Sequence, residues 1–241
     1  MRFVLLGGGD IRERGGSAVS VDEKLADICG RSGGNLLFIP TAQEDSEGYC
    51  DTFSGLYSEL GCRVRFLKLY RDGIGEDEID ELIWSAHMVY VGGGNLVNML
   101  EKWEEWGIAS RLRRAGERGL VLAGISAGAS CWCSRCVSNS NARNGAVEPF
   151  SEVNCLNFLS LNFCPHFNDP RRRDFTIELA RGTGRCYCGV TDGAAIFVPR
   201  AGEISFFSSG TGANVYRVAP GGEISALVDD GLSVVKGSIP L

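Results

Sequence analysis

Three scarcities narrow the chemistry before any motif is read. Histidine occurs only twice in 241 residues, at His87 and His166. A His-rich metal site is therefore excluded, and any mechanism that needs an imidazole must use one of these two. No apolar run approaches the roughly 18 residues that a membrane-crossing helix needs. The first apolar run, Phe3–Leu6, stops in glycines and shows no signal-peptide cleavage pattern. Basic charge is also short, with 24 Lys and Arg against 30 Asp and Glu and a net charge of −6. The one basic run, Arg171–Arg173, is too short to form a binding face for nucleic acid or an anionic membrane surface. These absences predict a cytoplasmic protein that acts on a small molecule or peptide.

Cysteine, by contrast, is abundant, at ten residues. A chain of this size does not need disulfide staples, and without an export signal the thiols read as reduced, small, buried apolar groups. The spacing Cys131-x-Cys133-x-x-Cys136, with Cys186-x-Cys188 downstream, lacks the paired knuckles of a zinc site. No metal is expected, and no cofactor.

Short apolar runs alternate with amphipathic stretches over the first half of the chain. Arg2–Leu6, Asn35–Ile39, Arg63–Leu69, Met88–Val91 and Leu120–Ile125 read as strands buried on both faces. Between them Asp22–Cys29, Ser46–Leu60, Glu76–Ala86 and Leu96–Ala115 carry helical spacing, and a further helix is expected at Ile177–Arg181. The texture then changes to short strands at Ala194–Val198, Glu203–Phe207, Asn214–Val218 and Glu223–Val228, read as antiparallel additions to the sheet edge. The expectation is an α/β fold in one domain spanning 1–241, with a doubly wound, mostly parallel sheet flanked by helices and antiparallel strands in the C-terminal part.

Within that frame, Gly124-Ile125-Ser126-Ala127-Gly128 follows an apolar strand and precedes a helix-compatible stretch. This is the context of a nucleophile elbow, in which a tight turn flanked by small residues projects a serine Oγ into a cleft. Ser126 is the expected nucleophile, with the Ala127 N–H aimed at the developing oxyanion. The loop Gly92-Gly93-Gly94-Asn95 also follows a strand. Its spacing fits neither a dinucleotide fingerprint nor a phosphate loop, so Gly93 or Gly94 is expected to supply the second oxyanion donor and Asn95 a substrate contact. His87 opens a buried strand at the end remote from the expected ligand rim, where a structural role fits best. His166, beside Pro165 where an apolar strand breaks into a loop, is the expected base. A third, acidic partner is harder to find, because the only acids between Ser126 and His166 are Glu148 and Glu152.

Taken in order, Gly7–Asp10, Phe38-Ile39-Pro40-Thr41-Ala42, Val91–Asn95, the elbow with Cys131-Trp132, Cys164-Pro165-His166-Phe167 and Thr191-Asp192-Gly193-Ala194-Ala195 resemble the peptidase E family of Asp-specific dipeptidases, and more distantly cyanophycinase. The resemblance implies a class I glutamine-amidotransferase-like fold and a Ser-His-acid triad. Ser126 and His166 match the family motifs. The segment expected to hold the acid reads Ser138-Asn139-Ser140, which makes Asn139 the implied third member and Glu148 the alternative. The resemblance further implies that Arg171 selects an acidic first residue, since a guanidinium pairs bidentately with a carboxylate, and that Asp192 lines or braces the site.

The function implied is a serine exopeptidase acting on short peptides with an acidic N-terminus, and a homodimer is an assembly it allows. Two rivals stand beside it. One is a catalytically weakened relative that binds an acidic peptide or metabolite. The other is a general esterase or amidase, although a glutaminase of this fold would carry a cysteine at position 126 and a glutamate at 168, where this chain has Ser126 and Asn168.

Overall fold

The computed structural model describes residues 1–9, 21–30, 33–71, 73–140, 150–208 and 212–227. The apolar runs form the predicted strands β1 (Arg2–Leu6), β2 (Asn35–Ile39), β3 (Arg63–Phe66), β4 (Met88–Val91) and β5 (Val121–Ile125). These five pair in parallel in the order β1-β5-β4-β2-β3. Their helical connections are α1 (Val21–Cys29), α2 (Glu47–Glu59), α3 (Glu76–Trp84), α4 (Leu96–Glu105) and α5 (Ile108–Glu117). The stretch read as one helix from Leu96 is two, because Gly107 takes a left-handed conformation at φ 61° and ends the run.

Alternate residues of each strand face opposite ways, and both faces of this sheet are covered. Val4, Leu6, Leu36, Phe38, Tyr90 and Ala123 pack with Leu25 of α1 and Phe53 and Tyr57 of α2. Phe3, Leu5, Leu37, Val89 and Leu122 face the other core, which holds α3, α4, α5 and a second sheet. Burial on both faces is why β1, β2, β4 and β5 show no polar alternation; β3, at the sheet edge, departs from the expectation, alternating exposed Arg63 and Arg65 with half-buried Val64 and Phe66.

The chain passes from β5 through Ser126 into a single helical turn, α6 (Ala127–Ser130), and then leaves the first sheet. β6 (Arg135–Ser138), β7 (Ser151–Asn154), β8 (Asn162–Cys164), α7 (Pro170–Thr183) and β9 (Tyr187–Val190) follow. β10 (Ala194–Arg200) and β11 (Glu203–Ser208) return to the first sheet as antiparallel strands beside β1. β12 (Val215–Val218) and β13 (Ile224–Ala226) instead join a second sheet in the order β13-β12-β9-β8-β6-β7. The expectation that all late strands extend one sheet edge thus holds for two of the four. The last helix is longer than expected, since Asp169 caps its start by accepting from the Arg171 N–H and Pro170 occupies its first position.

Two consequences place the site. β1 and β5 end side by side, with Leu6 opposite Ile125. β8 and β9 are parallel neighbours in the second sheet, so the loops following them emerge together. No described helix is long and apolar enough to cross a membrane.

Candidate active site

Ser126 sits at φ 53° and ψ −113°, a conformation that costs a non-glycine residue about 1–3 kcal/mol and persists only where its surroundings impose it. Here they do. The Ser126 N–H donates to the Leu6 carbonyl, and the Ala129 and Ser130 N–H groups both return to the Ser126 carbonyl. The flanking glycines admit no side chain, because a Cβ on Gly124 would lie 2.1 Å from the Gly128 carbonyl oxygen, and one on Gly128 would lie 2.1 Å from that of Val91. The small residues of the motif are therefore required by backbone meeting backbone.

His166 stands on the turn after β8, also in a left-handed conformation at φ 51°. Its N–H donates to the Gly7 carbonyl at 3.1 Å, and its own carbonyl accepts from Asp169. The ring reaches Ser126 Oγ through Nε2 at 2.8 Å and Asp192 Oδ1 through Nδ1 at 2.7 Å. An ionised carboxylate only accepts, so Nδ1 carries the proton that faces Asp192. Nε2 is then the lone pair that accepts from the serine hydroxyl.

Asp192 follows β9 and is fixed from two directions. Its backbone bridges Gly8, whose carbonyl accepts from the Gly193 N–H. Asn168 forms a reciprocal pair with it, the side-chain amide donating to Oδ2 at 3.1 Å and the side-chain oxygen accepting the Asp192 N–H at 3.0 Å. The second carboxylate oxygen is thus occupied while the first faces the imidazole. His166 and Asp192 keep 34% and 39% of their side-chain surface exposed, so the pair opens to solvent.

Both His166 ring nitrogens are taken, by Ser126 and Asp192, and the Asn139 side chain bonds elsewhere. It lies exposed after β6, with its Oδ1 3.4 Å from Arg172 Nη2. The Asn139 expectation is corrected on geometry: the carboxylate beside the His166 ring comes from the far side of α7 in the sequence, since β9 is the parallel neighbour of β8. Glu148 lies outside the described residues. Glu152 is turned away on β7, where it accepts from Arg185 and Tyr187.

The other expected site residues divide. The Ala127 N–H is at the start of α6, beside Ser126. A Cβ on Gly93 would be 3.4 Å from Ser126 Cβ, so the glycine loop adjoins Ser126. The Gly93 N–H donates to Tyr49 Oη at 3.2 Å, and its carbonyl accepts from Gln43. Asn95 caps α4 through Oδ1 and donates to the Ser140 carbonyl through Nδ2, so its amide holds the loop rather than facing open space. Arg171 is 74% exposed and pairs with Asp169. Its neighbour Arg172 is buried against the Phe150 ring and donates to the Val137 carbonyl; burial lowers its pKa, since desolvation disfavours the charged form. His87 accepts the Asn35 N–H at Nδ1, in keeping with a structural role. Among the described residues no group of three or more His, Cys, Asp or Glu could hold a metal ion.

Gly8, Asn168 and Tyr49 were not assigned to the site from sequence. Gly8 had the clearest signal, a glycine loop at the end of the first strand, and the structure shows its purpose. A Cβ there would lie 2.0 Å from Asp192 Oδ1 and 2.3 Å from His166 Nδ1. Gly8→Ala should therefore separate the pair and lower kcat by about 10²-fold, the scale of a roughly 1 Å misplacement. Wild-type kcat in folded Gly8→Ala would show that the His–Asp contact does not matter.

The model of peptidase family S51 matches residues 3–204. The chain belongs to peptidase family S51. It is 32% identical over 219 residues to the uncharacterized peptidase YgaJ of Bacillus subtilis, covering 90% of this chain and 91% of that protein. It is 29% identical over 139 residues to Peptidase E of Streptomyces coelicolor, a match spanning 58% of this chain and 54% of that one. A peptidase from an acI-B1 Actinobacterium superposes with a TM-score of 0.73 at 18% identity, covering 99% and 96% of the two chains. A putative peptidase E from Listeria monocytogenes gives 0.62 at 19% identity, covering 86% and 98%. At these identities the solved structures speak for the fold, while the family match makes this S51 chain a peptidase of the peptidase E type.

Proposed function

We propose that this S51 peptidase uses Ser126 as nucleophile, His166 as general base and acid, and Asp192 as the group that orients and stabilises the imidazole. The observation that carries the reading is the continuous pair of hydrogen bonds from Ser126 Oγ through the His166 ring to Asp192. As Oγ attacks the scissile carbonyl carbon, its proton passes to Nε2. The imidazolium, facing a carboxylate at Nδ1, then gives that proton to the departing amine. Water repeats the cycle on the acyl-enzyme, with His166 again taking and returning the proton. The Ala127 N–H and the Gly93–Gly94 loop donate to the oxyanion. Gly93 can serve only if Tyr49 gives way, which leaves Gly94 as the alternative donor.

For substrate, the proposal is a short peptide with an acidic first residue, held by Arg171. The Arg171–Asp169 pair is exposed, and such pairs contribute about 0–1 kcal/mol. A substrate carboxylate can therefore displace it at little cost. Dipeptides Asp-Leu, Glu-Leu, β-Asp-Leu and Leu-Leu test this directly, with Asp-Leu expected to give the highest kcat/KM. Arg171→Ala should raise KM for Asp-Leu about 10-fold or more, the worth of one charged hydrogen-bonding contact, while KM for Leu-Leu barely moves. An equal loss on both substrates removes Arg171 from specificity without touching the serine mechanism.

A further inference from the structure

The second sheet has a cleft at the end opposite the triad, of about 330 Å³, whose walls include Arg135, Leu161, Asn162, Arg185, Tyr187 and Pro220. Asn162 and Tyr187 begin β8 and β9, whereas His166 and Asp192 follow the ends of those strands. At about 3.3 Å per residue the two places are separated by roughly 13–16 Å. The cleft is thus distinct from the Ser126–His166–Asp192 site.

Its charge is unbalanced. Glu152 accepts from Arg185 Nη1 at 3.0 and 3.1 Å and from the Tyr187 hydroxyl. Arg135 reaches the same carboxylate only at 3.7 Å and keeps 36% of its side chain exposed. Arg217 stands behind the wall, with Nη2 3.4 Å from Cys186 Sγ, a wall residue. Its buried Nε has no hydrogen-bond partner among the described residues. Two guanidinium groups, those of Arg135 and Arg185, therefore share one carboxylate, in a chain whose net charge is −6. Leu161 and Pro220 add an apolar wall beside these cations. Of these two cations Arg135 is the less committed to the protein, and a carboxylate suits a planar guanidinium fork.

We propose that this cleft binds a small carboxylate with a short apolar stem, the carboxylate on Arg135 and Arg185 and the stem along Leu161 and Pro220. An inorganic phosphate could use the cations but not the apolar wall, so stem length discriminates between the two kinds of anion.

The test is calorimetric titration of butyrate, acetate and inorganic phosphate into the full chain carrying Ser126→Ala, repeated with Arg135→Gln or Ser160→Asp added. Ser160 is an exposed residue of the cleft wall, and an aspartate there would repel an anion without disturbing the core. Butyrate should bind with Kd on the order of 1 mM, tighter than acetate or phosphate by about 5-fold. Each added substitution should weaken butyrate about 10-fold, and in the Ser126 parent each should leave kcat unchanged without ligand. Absence of saturable butyrate binding, an unchanged Kd in both variants, or phosphate binding as tightly as butyrate would overturn the proposal.

Discussion

Ser126→Ala should lower kcat by about 10⁶-fold while the protein stays folded, the scale known for a serine peptidase that loses its nucleophile. The side-chain hydroxyl meets the His166 ring and closes no core contact, so its loss leaves at most an oxygen-sized gap. The strained backbone at φ 53° remains, because alanine is no more comfortable there than serine. That gives a companion expectation on stability. Ser126→Gly, equally inactive, relieves the strain and should be more stable than Ser126→Ala by up to about 1 kcal/mol, despite the entropy glycine adds to the unfolded chain. Thermal unfolding of the two variants checks the second point, and turnover of an Asp-X dipeptide checks the first. Activity near wild type in Ser126→Ala would end the serine mechanism.

Asp192→Asn should lower kcat by about 10⁴-fold, the figure set by the same change in the trypsin triad. An asparagine amide can take the same position, but it leaves the imidazolium without a counter-charge. It also offers an N–H where Nδ1–H needs an acceptor, which favours the wrong tautomer. Asn168 sharpens the case, since its amide donates to Oδ2. In the variant either that bond or the one to His166 must face donor to donor. KM should change little, because Asp192 bonds to the imidazole rather than to substrate. Asn139→Asp serves as the control. Its side chain approaches Arg172 and not His166, so turnover should stay within about 2-fold of wild type, as expected for an exposed substitution outside the triad. A large gain there, with no loss in Asp192→Asn, would restore position 139 to the triad.

The parts of the fold that could be read from sequence share one physical property. β1, β2, β4 and β5 are buried on both faces, so their apolar runs are uninterrupted, and the glycines after β1 and β4 mark the rim. The second sheet could not be read that way. β7 is Ser-Glu-Val-Asn, with no fully buried residue, and β8 has only three residues. Such strands are held by partners distant in sequence rather than by their own pattern. Gly107 hid a helix break inside an otherwise regular helical spacing.

The site divides along the same line. Ser126 is marked by steric demands that only small residues meet, and His166 by scarcity. The resemblance implies for Asp192 only that it lines or braces the site, and it points to the stretch between Ser126 and His166 for the acid. A triad is defined in space, and its chain order varies between folds. Here the parallel pairing of β8 with β9 brings residue 192 to residue 166, and no local spacing records that pairing. Asn168 and Gly8 became legible only once Asp192 was placed.

The central claim is a covalent serine mechanism driven by the Ser126–His166–Asp192 arrangement, and active-site labelling tests it most directly. A labelled fluorophosphonate should give a single adduct, located by peptide mass spectrometry on Ser126. Ser126→Ala should give none, Asp192→Asn should label far more slowly than wild type, and Asn139→Asp should label at the wild-type rate. Failure of the wild-type protein to label, an adduct on another residue, or equal rates in wild type and Asp192→Asn would contradict the account.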